Sequence, residues 1–238
     1  MTTARKIRTV TPLSRQGNLS DRIYAQLRLR LRRSALGPEE RLVDLDVAAA
    51  YGTSRMPARD ALLRLANEGY LIGTTRGFIA PTLSLDDVRE IFEVRRMLEP
   101  AAIASVAQQI DAAAVAQLSA ALQRARQAAL DHDGEEMTLA SRAFREVWLG
   151  RVNNKRLAAT IARFSDHVPT VRIHTPGSAE TRQVVVDGME RLHEALVSRD
   201  NALARKRMVE FMTAAERAYC SFRKAEIDNL TPAAIPRG

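Results

Sequence analysis

Two arginines four residues apart, Arg55 and Arg59, open the run SRMPARDALLRLANEGYL. On a helix this spacing makes them neighbours on one face, and each guanidinium can grip a guanine edge bidentately or hold a phosphate. Ser54, just ahead of them, is a residue type that caps helices, and the backbone amides at Ser54 and Arg55 can cradle a phosphate. Ala58, Ala61, Leu62 and Leu65 supply a separate apolar stripe, so the segment has the two faces a DNA recognition helix needs. Further on, Arg76-Gly77 lies in the turn-prone GTTRG, where an arginine can enter a minor groove and glycine permits close approach.

The elements around these residues are legible. Residues 1–18 carry Arg5, Lys6, Arg8 and Arg15 without apolar periodicity and read as a basic flexible arm. A helix is expected from Leu19, with Ser20 as N-cap and Ile23, Leu27 and Leu31 on its buried face, stopped by Gly37-Pro38. Leu42, Leu45, Val47, Ala48 and Tyr51 predict a second short helix closed by Gly52, and the arginine-bearing helix follows to about Asn67 and Gly69. Tyr70, Leu71 and Ile72, then Phe78 and Ile79, predict a small hairpin. Three helices and a hairpin over 19–82 make a winged helix-turn-helix. Beyond Pro81 the pattern is wholly helical, at roughly 85–108, 111–131, 134–151, 154–174, 179–198 and 200–224. Pro100 is expected to kink the first of these. Six helices with short connections predict an antiparallel bundle over 83–225, with 226–238 as a frayed tail. The fold class is mainly α.

Charge separates the two regions. Residues 1–82 hold 14 Lys/Arg against 7 Asp/Glu, and residues 83–238 hold 22 against 21, so the excess that meets a polyanion lies in the first third. No run approaches the apolar length of a membrane span, and the basic N-terminus lacks a signal-type apolar stretch. One cysteine, Cys220, cannot form an intramolecular disulfide and fits a reducing cytoplasm as a buried thiol. The motifs GxGxxG, GxSxG, HExxH and the P-loop are lacking, which argues against an enzyme. A helical enzyme with a DNA-binding domain and a purely architectural DNA-binding protein stay open as alternatives, the near-neutral helical region weighing against the second.

The segment from Tyr24 to Pro81, above all RLVDLDVAAAYGTSRMPARDALLRLANEGYLIGTTRGFIAP, resembles the winged-helix domain of GntR-family regulators. It departs from their pattern at Thr53, Ala58 and Asp60. The resemblance implies DNA contacts by Ser54, Arg55, Arg59, Arg76 and Gly77; Leu45 stands where some members carry a DNA-binding arginine. DDVREIFEVRRMLEPAAIASVA, with Arg95 and Glu99 in place, AFREVWLGRVNNKRL and MERLHEALVSRDNALARKRM resemble the FCD-type effector domain of the FadR subfamily. This implies a homodimer, double-stranded operator DNA as partner, and a small organic anion as effector that releases DNA. A ligand-responsive activator is the alternative mode. The winged domain is expected to lack spare apolar area, which puts the dimer surface on the helical domain.

Domains of that kind usually bind a divalent metal through one Asp and three His. Ungapped alignment puts these ligand positions at Ser141, Arg145, Met189 and Phe211, none a usual ligand, so no metal cofactor is expected. Arg145 then offers a fixed charge and a bidentate fork for an organic anion, Arg95 a second, and Met189 and Phe211 an apolar wall. The histidines His132, His167, His174 and His193 match no ligand spacing; His167 and His174 fall on a helix that lines the pocket in similar proteins.

Overall fold

The computed structural model describes residues 18–32, 40–81, 83–166 and 178–230. The arm through residue 17 and the histidines His167 and His174 therefore lie outside the described residues. The chain divides into two compact units, Met1–Thr82 and Leu83–Gly238.

The first unit comprises α1 (Leu19–Arg32), β1 (Arg41–Leu42), α2 (Asp44–Ala50), α3 (Arg55–Asn67), β2 (Ile72–Thr74) and β3 (Gly77–Ile79). Ile23, Leu27 and Leu31 recur every fourth residue and bury one face of α1 against Ala58, Ala61, Leu62 and Leu65 of α3, with Val47 and Ala48 of α2 filling the side. Each such Leu or Ile removed from water contributes about 1.5–3 kcal/mol. A polar clamp ties the far end of α3 to α1. Tyr24 Oη donates to Glu68 Oε2 at 2.5 Å, Arg64 donates to Glu68 Oε1 at 3.1 Å and to Asp21 Oδ1 at 2.9 Å, and its guanidinium lies 3.9 Å over the Tyr24 ring.

Several local expectations change. Asn18, not Ser20, caps α1: the Ser20 amide donates to Asn18 Oδ1 at 3.2 Å. Gly52 closes α2 as expected, in a Schellman turn with φ 61° and the Gly52 and Thr53 amides donating to the Ala49 and Ala48 oxygens. The hairpin gains a third strand, in the order β1-β3-β2, through pairing of Arg41 with Ile79 and Leu42 with Phe78. Two residues carry too little periodicity to announce a strand. The first unit also exposes Leu45, Met56, Leu63 and Ile72, so the expectation that it lacks spare apolar surface fails.

The second unit is a helical bundle of α4 (Leu85–Ala107), α5 (Ala112–Leu130), α6 (Gly134–Gly150), α7 (Lys155–Asp166), α8 (Ala179–Val197) and α9 (Asn201–Leu230). α4 packs on α9 and α7, α9 also on α8, and α5 on α6 and α8. Ser84 and Asp87 form a capping box, and the Ser84 hydrogen bonds hold the Asp87 carboxyl below its usual range. Asp111, Asp133, Asn154 and Asp200, which punctuate the sequence as breaks, accept from first-turn amides of the helices they precede. Pro100 is accommodated within α4. α9 runs to Leu230, past the expected start of a tail at 226. Cys220 is half-buried rather than buried, and burial pushes its thiol pKa up, which makes it a poor nucleophile.

Gly77 has φ 122°, and a Cβ there would stand 2.7 Å from the Leu42 carbonyl oxygen, so β1 can pair with β3 only if this residue is glycine. Gly77→Ala is expected to lower the stability of the first unit by about 1–3 kcal/mol in urea unfolding followed by circular dichroism. Gly150→Ala, with open space around it, is the control and should cost nothing.

Candidate functional site

Every helix of the second unit for which a cap is described closes its own N-terminus with a side chain, but α3 does not. Ser54 holds the N-cap position with extended backbone and makes no side-chain cap bond, and the first turn of α3 contains no acid. Its leading amides and the positive end of its dipole are left for an external anion. The expected capping bond from Ser54 is thus not made.

Arg55 and Arg59 flank that end, both exposed. Arg55 Nε donates to Asp44 Oδ2 at 2.9 Å, and the Asp44 side chain is only 11% exposed. α2 thereby fixes one edge of the guanidinium while its remaining donors face outward with little entropy to lose. Arg59 is exposed, and no hydrogen bond or ion pair engages it among the described residues. Arg76 is exposed at the β2–β3 turn, which is held by Thr74 Oγ1 accepting from the Arg76 amide at 3.3 Å. Gly77 is half-buried, and its lack of a side chain is required by Leu42 of the fold itself. Asp44 was not singled out by sequence; its place beside Arg55 depends on the turn angle between α2 and α3.

In the second unit Ser141, Arg145, Met189 and Phe211 line one interior cavity, with Glu99 and Trp148 among its other walls. These positions come from two separate alignments, on α6 and on α8–α9, and the fold brings them together. A hydroxyl, a guanidinium, a thioether and a phenyl ring do not make a site for a divalent metal. One oxygen of the Glu99 carboxylate is already in use. Arg95 Nε donates to Glu99 Oε1 at 2.5 Å, with both side chains nearly out of water. Among the described residues no group of three or more His, Cys, Asp or Glu is placed to hold a metal.

Arg95 is a correction to the expected pocket. It does not line the cavity; it is 4% exposed, spent on Glu99, and stacked 5.1 Å from the Phe92 ring. At i and i+4 the two residues meet on one helix face, so the charge is neutralised where it stands. His132 and His193 also lie away from the cavity: His132 meets Arg182 and His193 meets Ser119, with burial and then Arg126 lowering the His193 pKa.

The comparisons agree with this anatomy. Residues 19–77 match the gntR family of bacterial regulatory proteins, and residues 90–214, more than half the chain, match the FCD domain. The chain is 25% identical over 190 residues to the uncharacterized HTH-type transcriptional regulator YdhC of Bacillus subtilis, covering 78% of this chain and 84% of that one. It is 29% identical over 136 residues to the Nta operon transcriptional regulator of Aminobacter aminovorans, covering 57% of this chain and 64% of that one. The solved structure of Escherichia coli McbR/YncC superposes with a TM-score of 0.75 at 24% identity, over 89% of this chain and all (100%) of that one. No helix among the described residues is long and apolar enough to cross a membrane. The chain belongs to the GntR family and carries its winged helix-turn-helix with an FCD domain, which makes it a transcriptional regulator with a DNA-binding unit and an effector-binding unit.

Proposed function

We propose that this protein is a cytoplasmic, homodimeric repressor that leaves a palindromic operator when a small organic anion binds its helical unit without a metal. The observation that carries the DNA half is the uncapped, acid-free start of α3, with Arg55 braced by Asp44 and Arg59 unengaged. In this reading α3 enters the major groove, Ser54 and the leading amides hold a phosphate, Arg55 and Arg59 reach base edges or phosphates, and Arg76 enters the adjoining minor groove beside Gly77. A two-fold dimer would present two such helices, so the operator is an inverted repeat. The relative named for an operon supports control of a neighbouring gene set.

The effector half rests on Arg145, which lines the cavity with Ser141, Met189 and Phe211. Its guanidinium supplies, as a fixed group, the positive charge that a metal would otherwise offer a carboxylate. Arg95, locked to Glu99, is not part of this anion site. Release follows by linkage if the anion binds better to the state with lower operator affinity. The histidines His167 and His174 stay as candidates on the expected pocket helix.

Arg59→Ala is expected to cost about 1–3 kcal/mol of operator affinity and to relax specificity at one base position per half-site. Gel shift and footprinting on the upstream region of its own gene measure both, and wild-type binding by the variant would remove α3 from the groove. Light scattering at micromolar concentration should give twice the chain mass, and a monomer would contradict the two-fold operator. Elemental analysis should find no stoichiometric divalent metal, and EDTA should leave the melting temperature unchanged; one zinc or nickel per chain inside the bundle would overturn the metal-free site.

A further inference from the structure

Glu99 is 1% exposed and forms part of the cavity wall. Its Oε1 is taken by Arg95, whereas its Oε2 has no hydrogen-bond partner among the described residues. An unpaired buried carboxylate oxygen is costly, so Glu99 Oε2 is an acceptor that a bound donor would complete. The cavity itself measures about 20 Å³, room for one water molecule.

Phe211 shows how more than water can enter. It stands in the wall of this cavity and equally in the wall of a surface groove of about 220 Å³ between α8 and α9. The ring is half-buried and packs against Gly188, where an added Cβ would come within 2.1 Å of it. Phe211 is the side chain that the two walls share. Met189, Met208 and Met212 form much of the remaining wall, and unbranched thioethers re-pack readily around a guest.

The cavity wall is chemically specific. Glu99 Oε2 calls for a donor, best a cationic one. Arg145, which has an interaction of its own, still carries donors enough to hold a carboxylate. Apart from the Ser141 hydroxyl, the rest of the cavity wall is aromatic, aliphatic or sulfur-bearing. We propose that the site takes a zwitterion with an apolar body, an amino acid in form, its ammonium on Glu99 Oε2, its carboxylate on Arg145, and its body against Trp148 with Phe211 turned aside. This rests on the reading of the helical unit as the effector sensor and adds to it a requirement that an organic anion alone does not meet.

The test uses the full-length protein and the fluorescence of Trp148, the single tryptophan of the chain, which lines the cavity. L-phenylalanine should change the signal saturably. 3-Phenylpropionate and phenethylamine, which share its ring but lack one head group each, should bind at least about ten-fold more weakly. Glu99→Gln keeps an acceptor for Arg95 and should erase the difference between phenylalanine and 3-phenylpropionate, with circular dichroism reporting the fold. Phe211→Ala leaves both polar anchors in place and should speed association several-fold in stopped flow; an unchanged rate overturns the entry route. No binding of phenylalanine, or equal binding of 3-phenylpropionate to the wild type, overturns the zwitterion site and leaves Glu99 Oε2 to a water. These wild-type titrations decide the matter even if Glu99→Gln does not fold. Equal, saturable binding of 3-phenylpropionate would still leave the organic-anion sensor standing, and operator retention without any probe judges the DNA-binding reading separately.

Discussion

A guanidinium and a carboxylate, both nearly out of water, face each other at 2.5 Å one turn apart on α4. Such a pair adds little net stability, because desolvating both charges offsets most of their attraction. Its force lies in the penalty for disturbing it: removing either partner strands the other and costs about 3–5 kcal/mol. α4 packs on both α7 and α9, so a residue locked on α4 is fixed relative to much of the bundle. The pair therefore decides the polarity of the interior. It commits Arg95 to Glu99 and leaves one oxygen of Glu99 without a hydrogen-bond partner among the described residues, in a cavity wall whose other polar groups are Ser141 and Arg145.

The first unit solves the opposite problem. It must present uncompensated charge to solvent without losing its fold. Acidic partners are spent at the back of α3, where Glu68 and Asp21 hold Arg64 and Tyr24 closes the clamp. At the front, Asp44 takes only one edge of Arg55, and nothing among the described residues offsets Arg59. The same division is seen in the caps. Helices of the second unit satisfy their leading amides internally, as at Asp111, Asp133 and Ser178, whereas α3 leaves its own open. A helix end that is satisfied contributes stability, and one that is left open is available to a phosphate.

Much of this was written in the local chemistry of the chain. Apolar residues at helical spacing and the punctuation by Asp, Asn and Gly place the starts of the bundle helices to within a residue or two, because periodicity and capping are local properties, whereas α9 runs on past its expected end to Leu230. The excess of cations in the first 82 residues marks the DNA-binding unit, and the spacing of Arg55 and Arg59 singles out α3 as its candidate recognition helix, for the same reason. Register between α6, α8 and α9 also followed, since ungapped helices carry a residue's face along with its number: Ser141, Arg145, Met189 and Phe211 meet as expected.

What the sequence left open depended on three-dimensional angles and distances. β1 exists only because Gly77 lets two residues reach β3, and pairing of that kind has no local signal. Asp44 meets Arg55 through the angle of one turn. Arg95 and Arg145 are equal in composition, yet one is buried against Glu99 while the other reaches the cavity wall, and only side-chain packing distinguishes them. The sequence by itself determined which helices form and which faces they bury. The tertiary structure alone decided which charges are spent within the protein and which remain for a partner, because a charge is neutralised by whatever lies within a few ångströms, and that neighbour is set by the fold.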